Sequence, residues 1–84
     1  MPWFVYVLRS EKDGKRYFGC TQDVSDRLAR HNSGTVPSTR NRGPFSVVHV
    51  EQFGSRAEAF ARERFFKSWG GRIELGKILS AEEK

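Results

Sequence analysis

The stretch from Phe4 to Gly19, FVYVLRSEKDGKRYFG, places two apolar runs on either side of a polar turn. The turn contains Asp13-Gly14, and an Asp-Gly pair favours a two-residue β-hairpin loop. In the first run both alternating sets of positions are apolar, which is typical of a strand that is covered on both faces. This hairpin constrains the fold more than any other feature, because its first strand needs cover on both sides of the sheet.

The segment after the hairpin predicts a helix with defined ends. Asp23 is a favourable N-cap residue, and Gly34 suits the C-terminal stop. Four residues at helical spacing share one face of this helix: Val24, Arg27, Leu28 and His31. Residues 33–44, which glycine and proline interrupt, predict a loop.

The remaining chain predicts one strand and two helices. Residues 45–53 are rich in valine and predict a third strand. Ser55 is the expected cap of a helix over about residues 56–68, and Gly70-Gly71 is expected to end it. Residues 72–79 predict a short third helix. The order β-β-α-β-α-α therefore predicts an α+β fold, a small three-stranded, mostly antiparallel sheet flanked by helices.

Length and composition limit the class of protein. The 84 residues predict one domain over residues 1–84, with a core from about 3 to 79 and a frayed tail at 82–84. The single cysteine, Cys20, excludes an intramolecular disulfide and favours a reducing compartment. No apolar run approaches the roughly 20 residues of a membrane helix. We therefore expect a cytoplasmic protein without a membrane segment.

The charge of the chain indicates a polyanionic partner. The net charge is +5 and the pI is about 9.9, and nucleic acid is the commonest partner of a small basic domain. The same charge also lies within the range that keeps a small domain in solution. Charge alone leaves these two explanations open, and the sequence does not define an oligomeric state.

The hairpin pattern also predicts where its two tyrosines point. With a two-residue loop, Tyr6 would lie opposite Thr21 and Leu8 opposite Gly19. Tyr6 and Tyr17 would then project from the same face. Gly19 would open a floor between the two phenols. A loop longer by one residue would reverse this alternation.

These residues carry a family resemblance. Phe4-Val5-Tyr6 and the string YFGCTQDVSDRLARHNSG, which starts at Tyr17, resemble the GIY-YIG nuclease superfamily, and Arg62-Glu63 resembles its acidic helix. The resemblance spans Trp3 to about Leu79 and is closest to the small, stand-alone bacterial members. Two departures are a cysteine where some members have lysine after the second glycine, and the lack of a late asparagine.

The resemblance implies a Mg²⁺- or Mn²⁺-dependent endonuclease that hydrolyses DNA phosphodiester bonds. In that family's pattern, Tyr6 and Tyr17 flank the phosphate and orient or deprotonate water, and Arg27 contacts the phosphate. Glu63 holds one divalent cation. His31, one helical turn after Arg27, is a candidate to share the base role or to hold a tyrosine. A guanidinium and a cation both suit a transition state that gathers negative charge.

Each residue also has an ordinary structural explanation. Arg27 could pair with Asp23 and Glu63 with Lys67, both at a spacing of four on a helix. His31 could interact with the carboxyl end of its helix. The alternative function is a non-catalytic nucleic-acid-binding module on the same fold, and a weaker one is a protein-interaction domain.

Basic side chains near the predicted site are candidates for nucleic-acid binding: Lys15, Arg16, Arg30, Arg40, Arg42 and Lys67, with Arg72 and Lys77 further along. The loop over residues 33–44 is a candidate clamp, because its arginines can follow a phosphate backbone. Such contacts give affinity with little sequence information. We therefore expect low sequence selectivity or a preference for a particular DNA structure.

Overall fold

The structure is a computed structural model that describes residues 1–82, so Glu83 and Lys84 of the predicted tail lie outside the described residues. The elements are β1 (Trp3–Ser10), β2 (Arg16–Thr21), α1 (Val24–Ser33), β3 (Phe45–Phe53), α2 (Arg56–Lys67) and α3 (Trp69–Glu82). The loop before β3 contains a short 3-10 turn, Pro37–Thr39. All strand pairs are antiparallel, in the order β2-β1-β3. The predicted α+β fold is therefore confirmed.

The central strand β1 is buried on both faces, as its pattern predicts. Val5 and Val7 belong to a core cluster with Ala59, Phe66 and Leu75 of α2 and α3; we call this side the α2–α3 face. The other side, covered by α1, is the α1 face, with a cluster of Tyr6, Leu8, Phe45, Tyr17, Val24, Leu28 and Val47. The protein therefore has three layers, with the sheet in the middle.

The β1–β2 hairpin has a longer loop than the sequence predicts. Residues 11–14 form the loop, and the Ser10 N–H donates to the Lys15 carbonyl at 2.9 Å. Ser10 Oγ accepts from the N–H groups of Lys12 and Asp13, at 3.1 and 3.3 Å. A serine hydroxyl bonded in this way stabilises the wider turn. The predicted two-residue loop is therefore wrong.

The strand register moves by two residues as a consequence. Tyr6 lies opposite Gly19 and Leu8 opposite Tyr17, whereas Thr21 was the predicted partner of Tyr6. A shift of two residues preserves the alternation of side chains along a strand. Tyr6 and Tyr17 therefore still project from the same face, and both join the cluster on the α1 face.

The ends of α1 lie where the sequence places them. Asp23 accepts a hydrogen bond from the Asp26 N–H at 2.9 Å, and Gly34 ends the helix with φ of 79°. An extended N-cap with a short acidic side chain, and a glycine in the left-handed region, are local signals for helix ends. They fix α1, and with it Arg27 and His31, against the sheet.

The junction between α2 and α3 differs from the prediction, because Gly70-Gly71 lies inside α3. Ser68 Oγ accepts from the Gly71 N–H at 3.1 Å, which caps the new helix. A Cβ added to Gly71 would meet the Phe65 carbonyl and lie 2.7 Å from Phe66 Cα. Glycine therefore serves here to let two helix backbones touch, not to stop a helix.

Candidate active site

Tyr6 lies across Gly19 on the α1 face. A Cβ added to Gly19 would lie 2.8 Å from Tyr6 Cε1 and closer still to the phenolic end of the ring. The predicted open floor is therefore wrong, because the Tyr6 ring fills the space that the glycine leaves. Tyr6 is only 2% exposed, and its hydroxyl lies above the backbone of the edge strand β2.

His31 lies beside Tyr6, with Nε2 3.4 Å from the phenolic oxygen. Its Nδ1 is 2.8 Å from Thr39 Oγ1, and that hydroxyl reaches the Val36 carbonyl at 3.4 Å. Burial first, and then the charge of Arg27, lower the pKa of His31, so its imidazole is neutral at neutral pH. The tautomer protonated on Nδ1 satisfies all three contacts and leaves the Nε2 lone pair to accept from Tyr6.

Two buried polar atoms on this face have no hydrogen-bond partner among the described residues: Tyr17 Oη and Arg27 Nε. Phe45 contacts the rings of both Tyr17 and His31 edge-on, with centroids 5.4 and 5.9 Å away. Arg27 lies on the same side of the sheet, near enough to His31 for its charge to help lower the pKa of that histidine. Buried donors and acceptors are nearly always satisfied in proteins. A phenol and a guanidinium without partners are what a bound oxyanion would satisfy.

Arg42 and Asn32 contact the aromatic residues Tyr17 and Phe45 on this face. The Arg42 guanidinium lies over the Tyr17 ring, 5.2 Å from its centroid. Asn32 Nδ2 donates to the Phe45 carbonyl at 3.2 Å, and its Oδ1 accepts from the Phe45 N–H at 2.6 Å. Asn32 thus ties α1 to the start of β3 and holds the Phe45 ring between its two aromatic neighbours.

Glu63 lies in the other layer of the molecule. Glu63 is 9% exposed on α2, and its carboxylate accepts from Lys67 Nζ at 2.8 Å. Burial first, and then contact with Glu63, raise the pKa of the Cys20 thiol, so Cys20 faces Glu63 and points away from the tyrosines. Because Cys20 follows Gly19, one strand of backbone separates Glu63 from the Tyr6 hydroxyl. The structure therefore does not place Glu63 on the α1 face, where both tyrosines lie.

The donor chemistry of Glu63 fits one hard cation. Within residues 1–82, no group of three or more His, Cys, Asp and Glu side chains could hold a metal ion. One carboxylate suffices for Mg²⁺, which keeps several waters and takes phosphate oxygens from its substrate. The Lys67 side chain is half exposed, so its ammonium can move into solvent and release the carboxylate.

The predicted nucleic-acid contacts fall in separate regions. Arg40 lines a hollow with His31, and Arg42 lies over the Tyr17 ring. Arg30 pairs with Asp26 at 2.9 Å on α1. Lys67 pairs with Glu63 at 2.8 Å. Lys15 and Arg16 line a groove on the opposite, α2–α3 face. The six cations therefore do not form one surface around the tyrosines.

Thr39 is a functional candidate that the sequence does not reveal. It is fully buried and bonds to His31 from the 3-10 turn, eight residues further along the chain. Periodicity identifies contacts within one helix or strand. It does not show which hydroxyl of an irregular loop folds back onto an imidazole.

The profile of the GIY-YIG catalytic domain matches residues 2–75. The chain belongs to the GIY-YIG family. A UPF0213 protein of Listeria innocua is 43% identical over 82 residues, which cover 96% of this chain and 90% of that protein. One of Listeria welshimeri is 37% identical over 81 residues, covering 95% of this chain and 89% of that protein.

A solved structure of the same group has the same fold. The solution NMR structure of a UPF0213 protein from Bacillus halodurans superposes with a TM-score of 0.57 at 37% identity, covering 93% of this chain and 85% of that one. The resemblance to small, stand-alone GIY-YIG members is thus confirmed. Among the described residues, no helix has both the length and the apolar character needed to cross a membrane.

Proposed function

We propose that this GIY-YIG protein is a divalent-metal-dependent endonuclease that hydrolyses DNA phosphodiester bonds with low sequence selectivity. The observation that carries the proposal is the pair of buried atoms without a hydrogen-bond partner among the described residues, Tyr17 Oη and Arg27 Nε, both on the side of the sheet that α1 covers. A phosphodiester oxygen accepts from both a phenol and a guanidinium. The same two donors would stabilise the additional charge on the phosphoryl oxygens in the transition state.

The proton acceptor in this proposal is the Tyr6–His31 pair. As an attacking water loses a proton to Tyr6 Oη, the phenolic proton passes to His31 Nε2. Thr39 and the Val36 carbonyl hold His31 in the required tautomer. The hydroxide then bonds to phosphorus while the bond to the leaving oxygen breaks. Because the pKa of His31 is lowered, the imidazole is free to accept a proton at neutral pH.

We assign the divalent cation to Glu63. When bound, Mg²⁺ or Mn²⁺ would polarise the phosphoryl group and stabilise the leaving oxygen. Support comes from the burial of Glu63, which is 9% exposed, and from its ion pair with a lysine that can turn into solvent. Glu63 and Tyr6 approach the edge strand β2 from opposite faces at Gly19 and Cys20. A substrate phosphate at that edge would lie between them.

The test is a cleavage assay with labelled single-stranded, duplex and branched DNA, in Mg²⁺, in Mn²⁺ and in EDTA. Arg27→Ala should lower the cleavage rate about 10²- to 10³-fold, the usual loss for one charge-stabilising donor. Glu63→Gln should abolish the metal-dependent cleavage. Arg64→Ala and Glu74→Gln, at exposed positions, are the matched controls and should cleave normally. Equal activity in all four variants would assign the cleavage to a contaminant and overturn the proposal.

The alternative is a nucleic-acid-binding module without turnover. It is favoured by the Glu63–Lys67 ion pair and by the position of Glu63 in the layer opposite the tyrosines. A binding module predicts DNA binding that Arg27→Ala weakens, with no cleavage in any metal. The same assay, combined with a binding measurement in EDTA, therefore separates the two functions.

A further inference from the structure

A second polar groove lies on the α2–α3 face, away from the tyrosine cluster. Its volume is about 510 Å³, and its lining comes from the hairpin and from α3: Gly14, Lys15, Arg16, Phe18, Arg72 and Leu75. The groove is open to solvent along its basic rim, since Lys15, Arg16 and Arg72 are all exposed. No part of the proposed hydrolytic centre lines it.

The cations of this groove form no salt bridge among the described residues, although Lys15 lies near enough to Asp13 for its charge to help lower the pKa of that carboxyl. Lys15, Arg16 and Arg72 form no ion pair within residues 1–82, whereas four other cations do: Arg30, Arg42, Arg62 and Lys67. The Arg9 guanidinium lies 4.0 Å from a Cβ placed on Gly14 and adds a fourth cation at this end of the sheet. Cations that share a groove and form no salt bridge repel one another, and a polyanion removes that repulsion.

The floor of the groove is apolar and partly aromatic. Phe18 is half-buried, with its ring tilted against Phe66 at a centroid distance of 6.3 Å, and Leu75 is fully buried below. A basic rim around an aromatic surface is the arrangement that single-stranded nucleic acids use, with phosphates on the cations and bases on the ring. A protein–protein interface instead has few charged residues at its centre.

We propose that this groove binds a single-stranded segment of nucleic acid next to the point of cleavage. Along the edge strand β2, Arg16 and Phe18 face the groove, and Tyr17 between them faces the hydrolytic centre. Only a flexible strand can follow both sides of one β-strand. A volume of about 510 Å³ also suits a ligand of one or two nucleotides rather than a duplex. The link to cleavage rests on the proposed function, but the binding itself does not.

The test measures binding in EDTA, so that no cleavage is needed. Fluorescence anisotropy with a labelled single-stranded oligonucleotide compares the wild type with Arg16→Gln/Arg72→Gln. The control, Arg56→Gln/Arg64→Gln, removes the same charge from exposed positions outside the groove. Loss of two phosphate contacts should reduce the slope of log K against log salt by about 1.4 for a single strand. The control variant should keep the wild-type slope. A duplex of the same sequence should bind the groove variant and the control variant with similar affinity.

Amide NMR on the wild-type protein provides a second measurement that needs no variant. Addition of the single strand should shift the signals of Gly14, Arg16, Phe18 and Leu75. Shifts confined to Tyr17, His31 and Arg42, or an unchanged salt slope in the groove variant, would overturn the groove proposal while leaving the hydrolytic centre intact. Groove shifts that follow protein concentration alone would assign the surface to a second copy of the chain. Normal groove binding without cleavage would overturn only the proposed endonuclease.

Discussion

Substitution of Gly19 by alanine tests the geometry of the site most directly. Gly19 has no positive φ, so its backbone accepts any residue. The three atoms nearest to an added side chain all belong to Tyr6, whose Cε1 would lie 2.8 Å from the new Cβ. The ring must retreat by roughly 1 Å to reach ordinary contact distance. The contact of its hydroxyl with His31 Nε2, already 3.4 Å long, would then be lost.

Two magnitudes follow from this displacement. Overpacking of a buried ring costs about 1–3 kcal/mol, which lowers the melting temperature of a domain of this size by about 5–20 °C. A reacting group misplaced by about 1 Å lowers the cleavage rate about 100-fold. Thermal unfolding followed by circular dichroism measures the loss of stability. The cleavage assay, run below the melting temperature of the variant, measures the loss of rate.

The double variant Tyr6→Leu/Gly19→Ala supplies the control for stability. With the phenol ring removed, the added methyl group loses its three closest contacts, so Gly19→Ala should cost much less in the Tyr6→Leu background. A coupling energy of about 1 kcal/mol or more is expected for two residues in such contact. If Gly19→Ala melts and cleaves like the wild type, the Tyr6 ring does not occupy the space above Gly19, and the described site is wrong.

Three further predictions concern the scaffold of the site. Gly71→Ala should lower the free energy of unfolding by about 3 kcal/mol or more, because its Cβ would meet the α2 backbone. A Cβ on Gly76 would meet no atom of residues 1–82 within 4 Å beyond its chain neighbours and its own helix backbone, so Gly76→Ala should raise the free energy of unfolding by up to about 1 kcal/mol in the same melting experiment. Asp23→Ala should cost about 0.5–2 kcal/mol in urea unfolding through loss of the α1 N-cap, whereas Asp23→Asn should stay near the wild type. The pKa of His31 is lowered in the folded state, so the unfolded chain binds the proton of this imidazole more readily. The free energy of unfolding should therefore fall as the pH drops from about 6.5 toward the folded-state pKa. His31→Gln should show a flatter dependence of stability on pH. A steeper profile in His31→Gln would contradict that assignment.

The amino-acid sequence by itself determined the elements and the faces of the sheet. Asp23 and Gly34 fix the ends of α1, and Ser55 starts α2 through a hydrogen bond to the Glu58 N–H at 3.2 Å. Alternation along β1 and β2 places Tyr6 and Tyr17 on one face even though the predicted loop is too short. These features depend on residues at most four apart, or on a period of two that a shift of two residues does not disturb.

Tertiary structure alone decided how distant residues meet. Gly71 allows α3 to touch α2, Thr39 orients His31, and Glu63 lies across the sheet from the tyrosines. Each of these outcomes depends on contacts between segments that are distant in sequence. At such contacts packing energy outweighs local secondary-structure propensity. The residue types of the proposed hydrolytic centre are therefore visible in the chain, whereas their positions relative to one another depend on how three layers pack in space.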